Sequence, residues 1–407
     1  MVTSFPKHKI KIALFEKIHP AAVDALQSNG YSVELYPNTM DGEELKKVVA
    51  DVHCVGSRSR TKFRKDILSA APKLMAVGCF MVGTDNVDLS HATSAGIPVF
   101  NAPYSSTRSV AELTLGTIIM LTRRAAHKSM MLHQGSWDKS LSGAQEIRDK
   151  TVGIIGYGHI GQQVGILCEA VGMRVVFYDV QRKLPLGRAQ TASSIEEVLK
   201  MSDFVSLHIP GGPGNINLFN HQNLSLMKKG AFLLNMARGN IVDLESLAEL
   251  LKSGHLGGAA IDVFPVEPTD NKAEFETVLK NLPNVILTPH IGGNTEEAQK
   301  NIGLEVANTL ISFIDRGLTA GAVNFPEINL PHKSGAHRIL NIHKNQPGVL
   351  AEVNKIVSSV GANIEAQQLN TYDDIGYLVM DINKELSEEV KNLIEEASFS
   401  IKTRILF

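Results

Sequence analysis

Only three cysteines, Cys54, Cys79 and Cys168, occur in 407 residues, far apart and with no C-x-x-C spacing. That odd, scattered set gives neither a disulfide framework nor a zinc site, and buried free thiols are expected. Net charge is equally scarce. Forty Lys and Arg face 42 Asp and Glu, a net charge of -2, so no bulk positive field exists to hold nucleic acid or an anionic membrane. Any anion must be met by local charge. Long hydrophobic runs are missing too: the longest apolar-rich stretch, 113–121, is too short to span a bilayer, and residues 1–11 are polar and basic with no apolar stretch behind them. A cytoplasmic, metal-free protein of a reducing compartment is expected. Low-complexity tracts and short repeats are also absent.

What is present is ordinary globular composition, 43% hydrophobic and 20% charged, in a chain long enough for two to four domains. Short apolar runs at 10–15, 31–35, 52–55 and 74–77 alternate with helix-like stretches such as 20–28 and 42–50. That alternation predicts a parallel sheet covered on both faces. After a long apolar-periodic segment at 109–123, a second series of strand-like runs begins at 151–155 and continues at 174–178, 204–208, 231–235, 258–263 and 285–288. Six strands suffice for a doubly wound sheet. A helical pattern at 295–313 leads into a Pro-, Gly- and Asn-rich stretch, 317–335, that reads as a boundary. The remainder, 337–407, reads strand, helix, strand, strand, helix, strand, the ferredoxin-like βαββαβ unit. The fold class is therefore α/β, two Rossmann-like doubly wound domains followed by a small ferredoxin-like one.

The run Gly156, Tyr157, Gly158, His159, Ile160, Gly161 follows an apolar strand and opens a helix. Gly156 permits the tight turn, Gly158 lets backbone approach a pyrophosphate, and Gly161 lets helix and strand pack closely, while the helix N-terminus offers N–H groups to the anion. Asp179 ends the next strand-like run, where a carboxylate accepts hydrogen bonds from ribose hydroxyls and repels a 2′-phosphate. NAD is the expected cofactor. Arg182 and Lys183 follow closely and keep NADP as the alternative.

Arg238, Glu267 and His290 each lie just beyond the C-terminal end of an apolar strand, the edge at which open parallel sheets bind ligands. A guanidinium grips a carboxylate and polarises the neighbouring carbonyl, and an imidazole removes a hydroxyl proton as hydride departs. A carboxylate on the second ring nitrogen orients that imidazole and raises its pKa. Taken singly, Arg238 also reads as a helix-start residue, Glu267 as a loop carboxylate before Pro268, and His290 as a satisfied histidine after Pro289.

The glycine run, the stretch Asn235 to Gly239, the stretch Ala260 to Pro268 and the turn Thr288 to Gly293 together resemble the D-isomer-specific 2-hydroxyacid dehydrogenases. With Val99 to Pro103 and Thr107 to Glu112 the likeness covers nearly the whole chain, and it is strongest to members that end in an ACT-like module. The resemblance implies Arg238, Glu267 and His290 as catalytic residues. It implies that His159, Ile160, Asp179, Met236, Ala237, Arg238, Asp262, His290, Ile291, Gly292 and Gly293 line the NAD site, Met236 standing where a smaller residue is usual. It also implies a discontinuous substrate domain, 1–105 with 292–330, a cofactor domain, 106–291, and a regulatory ACT domain, 337–407, with the cleft closing about the connecting helices.

The same resemblance implies 3-phospho-D-glycerate as substrate, 2-oxoglutarate as a side substrate, L-serine as effector and a homotetramer. A phosphate dianion needs charge-assisted donors beyond Arg238, and Arg58 and Arg60, after the strand-like run 52–55, together with Lys139 beside Trp137, are the candidates. Lys139 is expected to serve a neighbouring subunit. Ser106 stands where asparagine is usual. His343 and Asn345 of one subunit, with Asn363 of its partner, are expected to hold serine, and Gly292, Gly293 and Gly335 to act as pivots, Ala336 replacing a second linker glycine. A glyoxylate or hydroxypyruvate reductase of the same fold and an NAD-sensing co-repressor remain the alternatives. An RNA-binding reading of the last module fails, because the strand-like run 376–382 offers only Tyr377 for stacking.

Overall fold

Apolar runs without polar alternation are satisfied only between two helical layers. The computed structural model, which describes residues 4–268, 273–333 and 335–407, contains two such sheets. In the first, β1 (Lys11–Phe15), β2 (Ser32–Tyr36), β3 (Cys54–Ser57), β4 (Ala76–Cys79) and β5 (Val99–Phe100) run parallel in the order β2-β1-β3-β4-β5. The order reverses between β1 and β3, which makes the gap beyond their C-terminal ends the sheet's topological switch point.

The second sheet holds β6 (Thr151–Ile155), β7 (Arg174–Tyr178), β8 (Gln190–Thr191), β9 (Phe204–Leu207), β10 (Phe232–Asn235), β11 (Gly258–Ile261) and β12 (Val285–Leu287). Their order is β12-β11-β10-β9-β6-β7-β8, all parallel. This is the doubly wound dinucleotide-binding order with one further strand, and its switch point lies between β6 and β9. Ile154, Leu207, Leu234 and Ile261 are among its fully or almost fully buried residues.

The third sheet, β13 (His337–Lys344), β14 (Ile364–Tyr372), β15 (Ile375–Ile382) and β16 (Ser400–Leu406), is antiparallel in the order β14-β15-β13-β16. Its strand alternation assigns two different cores. Ile339, Leu378 and Met380 pack on the amphipathic helices Val349–Ser359 and Ser387–Glu396. Leu340, Ile342, Tyr377 and Val379 join Ile12, Leu14, Leu310 and Phe313 in the core under the first sheet. By its contacts the chain divides into two compact units, 1–105 with 299–407, and 106–298.

The polar stretch after the helix Glu296–Arg316 is packed rather than loose. Thr319 and Ile328 are fully buried, Thr319 Oγ1 donates to the Pro326 carbonyl at 2.6 Å, and Asn324 Nδ2 donates to the Ile97 carbonyl at 3.0 Å. Farther on, Arg338 is fully buried against Asp381, with Nε to Oδ1 at 2.6 Å and Nη2 to Oδ2 at 2.8 Å. Its other donors reach the carbonyls of Arg316, Leu330 and Pro331, so all five guanidinium hydrogens are used.

Candidate active site

The glycine run leaves β6 through Gly156, whose φ of +91° suits only glycine without strain. A Cβ there would lie 2.4 Å from the His208 carbonyl oxygen, across the switch point, and a Cβ on Gly161 would lie 2.2 Å from the Gly156 oxygen. Gly158, in contrast, has nothing within 4 Å of its missing Cβ and begins the helix His159–Ala170 with no side-chain cap. A tight turn under an open, uncapped helix start is what a pyrophosphate requires, so the residues fit the dinucleotide. Asp179 Oδ2 accepts from the Tyr157 N–H and Oδ1 from the Gln181 N–H, each at 2.8 Å. Its remaining lone pairs suit ribose hydroxyls.

Beyond β11 and β12 the acid and the imidazole meet. His290 Nδ1 lies 2.8 Å from Glu267 Oε2, with the two side chains 50% and 35% exposed, and Glu267 Oε1 accepts from the Phe264 N–H at 3.1 Å. The hydrogen bond to Glu267 lifts His290 above its usual pKa against the opposing effect of burial, and the charges of Glu267 and Asp262 add to the lift. Burial pushes Glu267 up, but His290, the Phe264 N–H and the charge of Arg238 outweigh it and hold the carboxyl below its usual value. Arg238 follows β10, its Nη1 on the Ala237 carbonyl at 2.8 Å, and the Asn235 side chain braces the bend by accepting from the Ala237 N–H and donating to the Arg238 carbonyl. Met236 is buried beside it.

His290 has a φ of +54°, left-handed for a non-glycine residue, a strain of order 1–3 kcal/mol that surrounding contacts must hold. Asp262 supplies them. Its backbone carbonyl accepts from the His290 N–H at 2.8 Å. The carboxylate, 1% exposed, accepts from Thr288 Oγ1 at 2.6 Å and from the N–H groups of Ile291 and Gly292 at 2.9 Å. Gly293 abuts Ser106, which caps the helix Thr107–Thr122 without a side-chain hydrogen bond. Lys139 lies in an exposed segment next to Trp137, itself 78% exposed.

Arg58 and Arg60 belong to the other unit, at the switch point of the first sheet. Burial presses Arg58 below the usual guanidinium pKa, while Glu16 opposes that and Arg60 adds to it. In the third sheet His343 is 2% exposed, with Nδ1 3.0 Å from Asn341 Oδ1, and Asn345 Nδ2 donates to the Asp373 carbonyl at 3.0 Å. The ladders pair His343 with Gly376 and Gly376 with Thr371, while Ile364, next to Asn363, pairs with Ile382. Asn363 is thus about seven strand residues from His343, of order 20 Å along the sheet, and a single chain does not bring the three together.

Two further groups, neither singled out as a site residue in the sequence, have buried polar atoms without a partner among the described residues. His208, directly after β9, has Nε2 2.8 Å from Ser206 Oγ and a buried Nδ1 with no partner among the described residues, and burial lowers its pKa to about 4. Thr107 Oγ1, beside Ser106, is likewise buried and unpartnered. A histidine ending an apolar strand reads in sequence as strand, and only the adjacent glycine turn could have marked it.

Residues 115–292 match the D-isomer specific 2-hydroxyacid dehydrogenase NAD-binding domain, and 339–398 match an AHAS small subunit-like ACT domain. The chain is 49% identical over 405 residues to D-3-phosphoglycerate dehydrogenase of Haemophilus influenzae, covering 99% of both chains. It is 47% identical over 407 residues to the protein of that name from Escherichia coli K12, again over 99% of each. Among solved structures, D-2-hydroxyisocaproate dehydrogenase has a TM-score of 0.70 and 27% identity over 77% of this chain and 100% of that one. D-lactate dehydrogenase from Aquifex aeolicus, complexed with NAD and lactic acid, has a TM-score of 0.68 and 29% identity over 78% of this chain and 100% of its own. The chain belongs to the D-isomer-specific 2-hydroxyacid dehydrogenases, as an NAD-dependent oxidoreductase that carries an ACT domain.

Proposed function

We propose that the protein oxidises 3-phospho-D-glycerate to 3-phosphohydroxypyruvate, the step that opens L-serine synthesis. The observation that carries this reading is the Glu267–His290 pair, 2.8 Å apart, at the ligand edge of a sheet whose first turn fits a dinucleotide. NAD, when bound, supplies the hydride acceptor. Neutral His290 takes the proton from the substrate's C2 hydroxyl, Glu267 stabilises the imidazolium that results, and Arg238 holds the substrate carboxylate and polarises the forming carbonyl. Gly156, Gly158, His159, Ile160, Gly161 and Asp179 hold the pyrophosphate and ribose side of the cofactor. Met236, Ala237 and the 290–293 turn hold its nicotinamide side. Asp262, its carboxylate engaged by that turn, contributes by fixing it.

Arg58 and Arg60 take the phosphate of the substrate, with Lys139 contributed by a neighbouring subunit and Ser106 offering a hydroxyl. The helix Ala125–His133, which buries none of its residues, and the exposed Trp137 nearby support a second copy of the chain against this region, and a second pairing through the ACT domains completes the proposed homotetramer. L-serine binds His343 and Asn345 of one ACT domain and Asn363 of a partner, and 2-oxoglutarate serves as a side substrate. The proposal includes a cytoplasmic location for the enzyme.

Steady-state turnover of 3-phospho-D-glycerate with NAD, titrated with serine, tests the reading. Turnover that serine suppresses supports it. Turnover of glyoxylate or hydroxypyruvate alone identifies a reductase instead, and NAD binding without turnover of any 2-hydroxy acid identifies a cofactor sensor.

A further inference from the structure

Beyond β1 the backbone takes two consecutive left-handed steps, Glu16 at φ +70° and Lys17 at φ +53°. Neither residue is glycine, so the neighbourhood must impose this shape. It places the Glu16 carboxylate across the switch point, where both oxygens lie 3.1 Å from the Arg60 N–H and Oε1 also accepts from the Thr61 N–H. The loop is gripped from its other side as well. Asn86, fully buried, directs Nδ2 to Ser57 Oγ at 2.9 Å and to the Arg58 carbonyl at 3.0 Å, and its Oδ1 accepts from Cys79 Sγ at 3.4 Å.

A carboxylate here works against the electrostatics of the proposed phosphate site, because its negative charge repels a dianion approaching Arg58 and Arg60. It also takes up backbone N–H groups that a phosphate could otherwise have used. Its presence at the edge is explained if rigidity outweighs that repulsion. Arginine side chains lose much rotamer freedom on binding, and a loop already fixed in its bound shape reduces what binding must still order.

We propose that Glu16 is a positioning residue for the phosphorylated end of the substrate, fixing the Arg58–Arg60 loop through its backbone while touching no substrate itself. This rests on the assignment of Arg58 and Arg60 to the phosphate. It makes Glu16 a determinant of specificity for phosphorylated over unphosphorylated 2-hydroxy acids, acting on KM rather than on kcat.

The test uses the full-length enzyme with Glu16→Gln, Glu16→Asp, Arg60→Ala and the double variant Glu16→Gln/Arg60→Ala, scored for kcat, KM for 3-phospho-D-glycerate, KM for NAD and melting temperature. Glu16→Gln keeps the volume but sets an amide against backbone N–H groups, and losing such charge-assisted hydrogen bonds is expected to raise the substrate KM about tenfold or more. The expected kcat and NAD KM stay within about twofold, Glu16→Asp falls between wild type and Glu16→Gln, and Glu16→Gln raises KM by a smaller factor in the Arg60→Ala background than in wild type, because Arg58 still depends on the loop while Arg60 no longer does. An unchanged KM in folded Glu16→Gln overturns the proposal. So does a fall in kcat at constant KM, or full additivity in the double variant. If Glu16→Gln does not fold, a wild-type KM in Glu16→Asp overturns it and a raised one supports it. An Arg60→Ala variant with wild-type KM instead removes the phosphate assignment on which the proposal stands.

Discussion

The two parallel sheets share one topology rule and use it with opposite chemistry. At the switch point of the second sheet, glycines bring backbone against backbone, Gly156 against the His208 carbonyl, and leave Gly158 and a helix start open. At the switch point of the first, side chains fill the gap: Glu16 ties down a loop that carries two arginines. A cofactor with many backbone-readable phosphate oxygens is met by removing side chains. In the proposed reading, a small, doubly charged substrate end is met there by cations that a neighbouring carboxylate immobilises. The general lesson is that the strand order locates a ligand edge, while the residue types placed there decide what it receives.

Several substitutions separate the two edges, and the largest effect belongs to the second sheet. His290→Ala is expected to lower kcat by about a thousandfold, within the range of general acid–base contributions, with the KM for NAD nearly unchanged. A loss of NAD affinity of the same size in ligand titrations would assign His290 to binding instead. Gly161→Ala, whose Cβ would meet the Gly156 oxygen at 2.2 Å, is expected to weaken NAD about tenfold or more through overpacking, with little effect on discrimination among acids. Arg60→Ala probes the first sheet: the KM for 3-phospho-D-glycerate should rise about tenfold or more, while the values for an unphosphorylated 2-hydroxy acid barely move. Equal losses on both substrates would detach the arginine from the phosphate.

The pH profile gives a finer cut. Glu267 favours the charged ring, so His290 titrates above its ordinary 6.5. Oxidation needs the neutral ring, so kcat/KM should fall as pH drops through that raised value. Glu267→Gln removes the stabilising charge, and the acid limb should then move to lower pH while the maximum rate declines. A limb that stays in place would mean another group sets it. The smallest effect is expected for exposed Lys139, where Lys139→Ala should change the KM of the phosphorylated substrate only a few-fold.

Much of this architecture is legible from pattern. Runs such as 151–155 and 174–178 correspond to β6 and β7, the first buried throughout and the second buried at Val175, Val176 and Phe177, because the stretch of a strand covered on both faces must be apolar. The two-residue strands β5 and β8 and the short helices Lys65–Ser69 and Leu89–Ser94 are too brief to show a period. The stretch 317–335 reads as loop from its polar, Pro- and Gly-containing composition, and 317–333 is loop, yet Thr319, Asn324, Phe325 and Ile328 within it are buried, with Thr319 and Asn324 satisfying backbone groups that a strand ladder would otherwise serve. At the candidate site, the glycine run announces its own geometry, and Glu267 and His290 stand out as charged groups at strand ends. Glu16 does not. Its partners lie 44 and 45 residues away, and neither spacing nor composition encodes a contact of that kind.

Arg338 carries a practical consequence for anyone testing the proposed control by serine. Because its guanidinium clasps three carbonyls of the preceding segment as well as Asp381, the ACT domain is stitched to the body of its unit and does not hang from a tether. Truncation before residue 337 would strip the cover from Leu310, Phe313 and Phe325 and leave a sticky surface prone to clumping. Loss of inhibition in such a shortened chain would then report damage as readily as regulation, and single replacements at His343 or Asn345 are the cleaner scalpel.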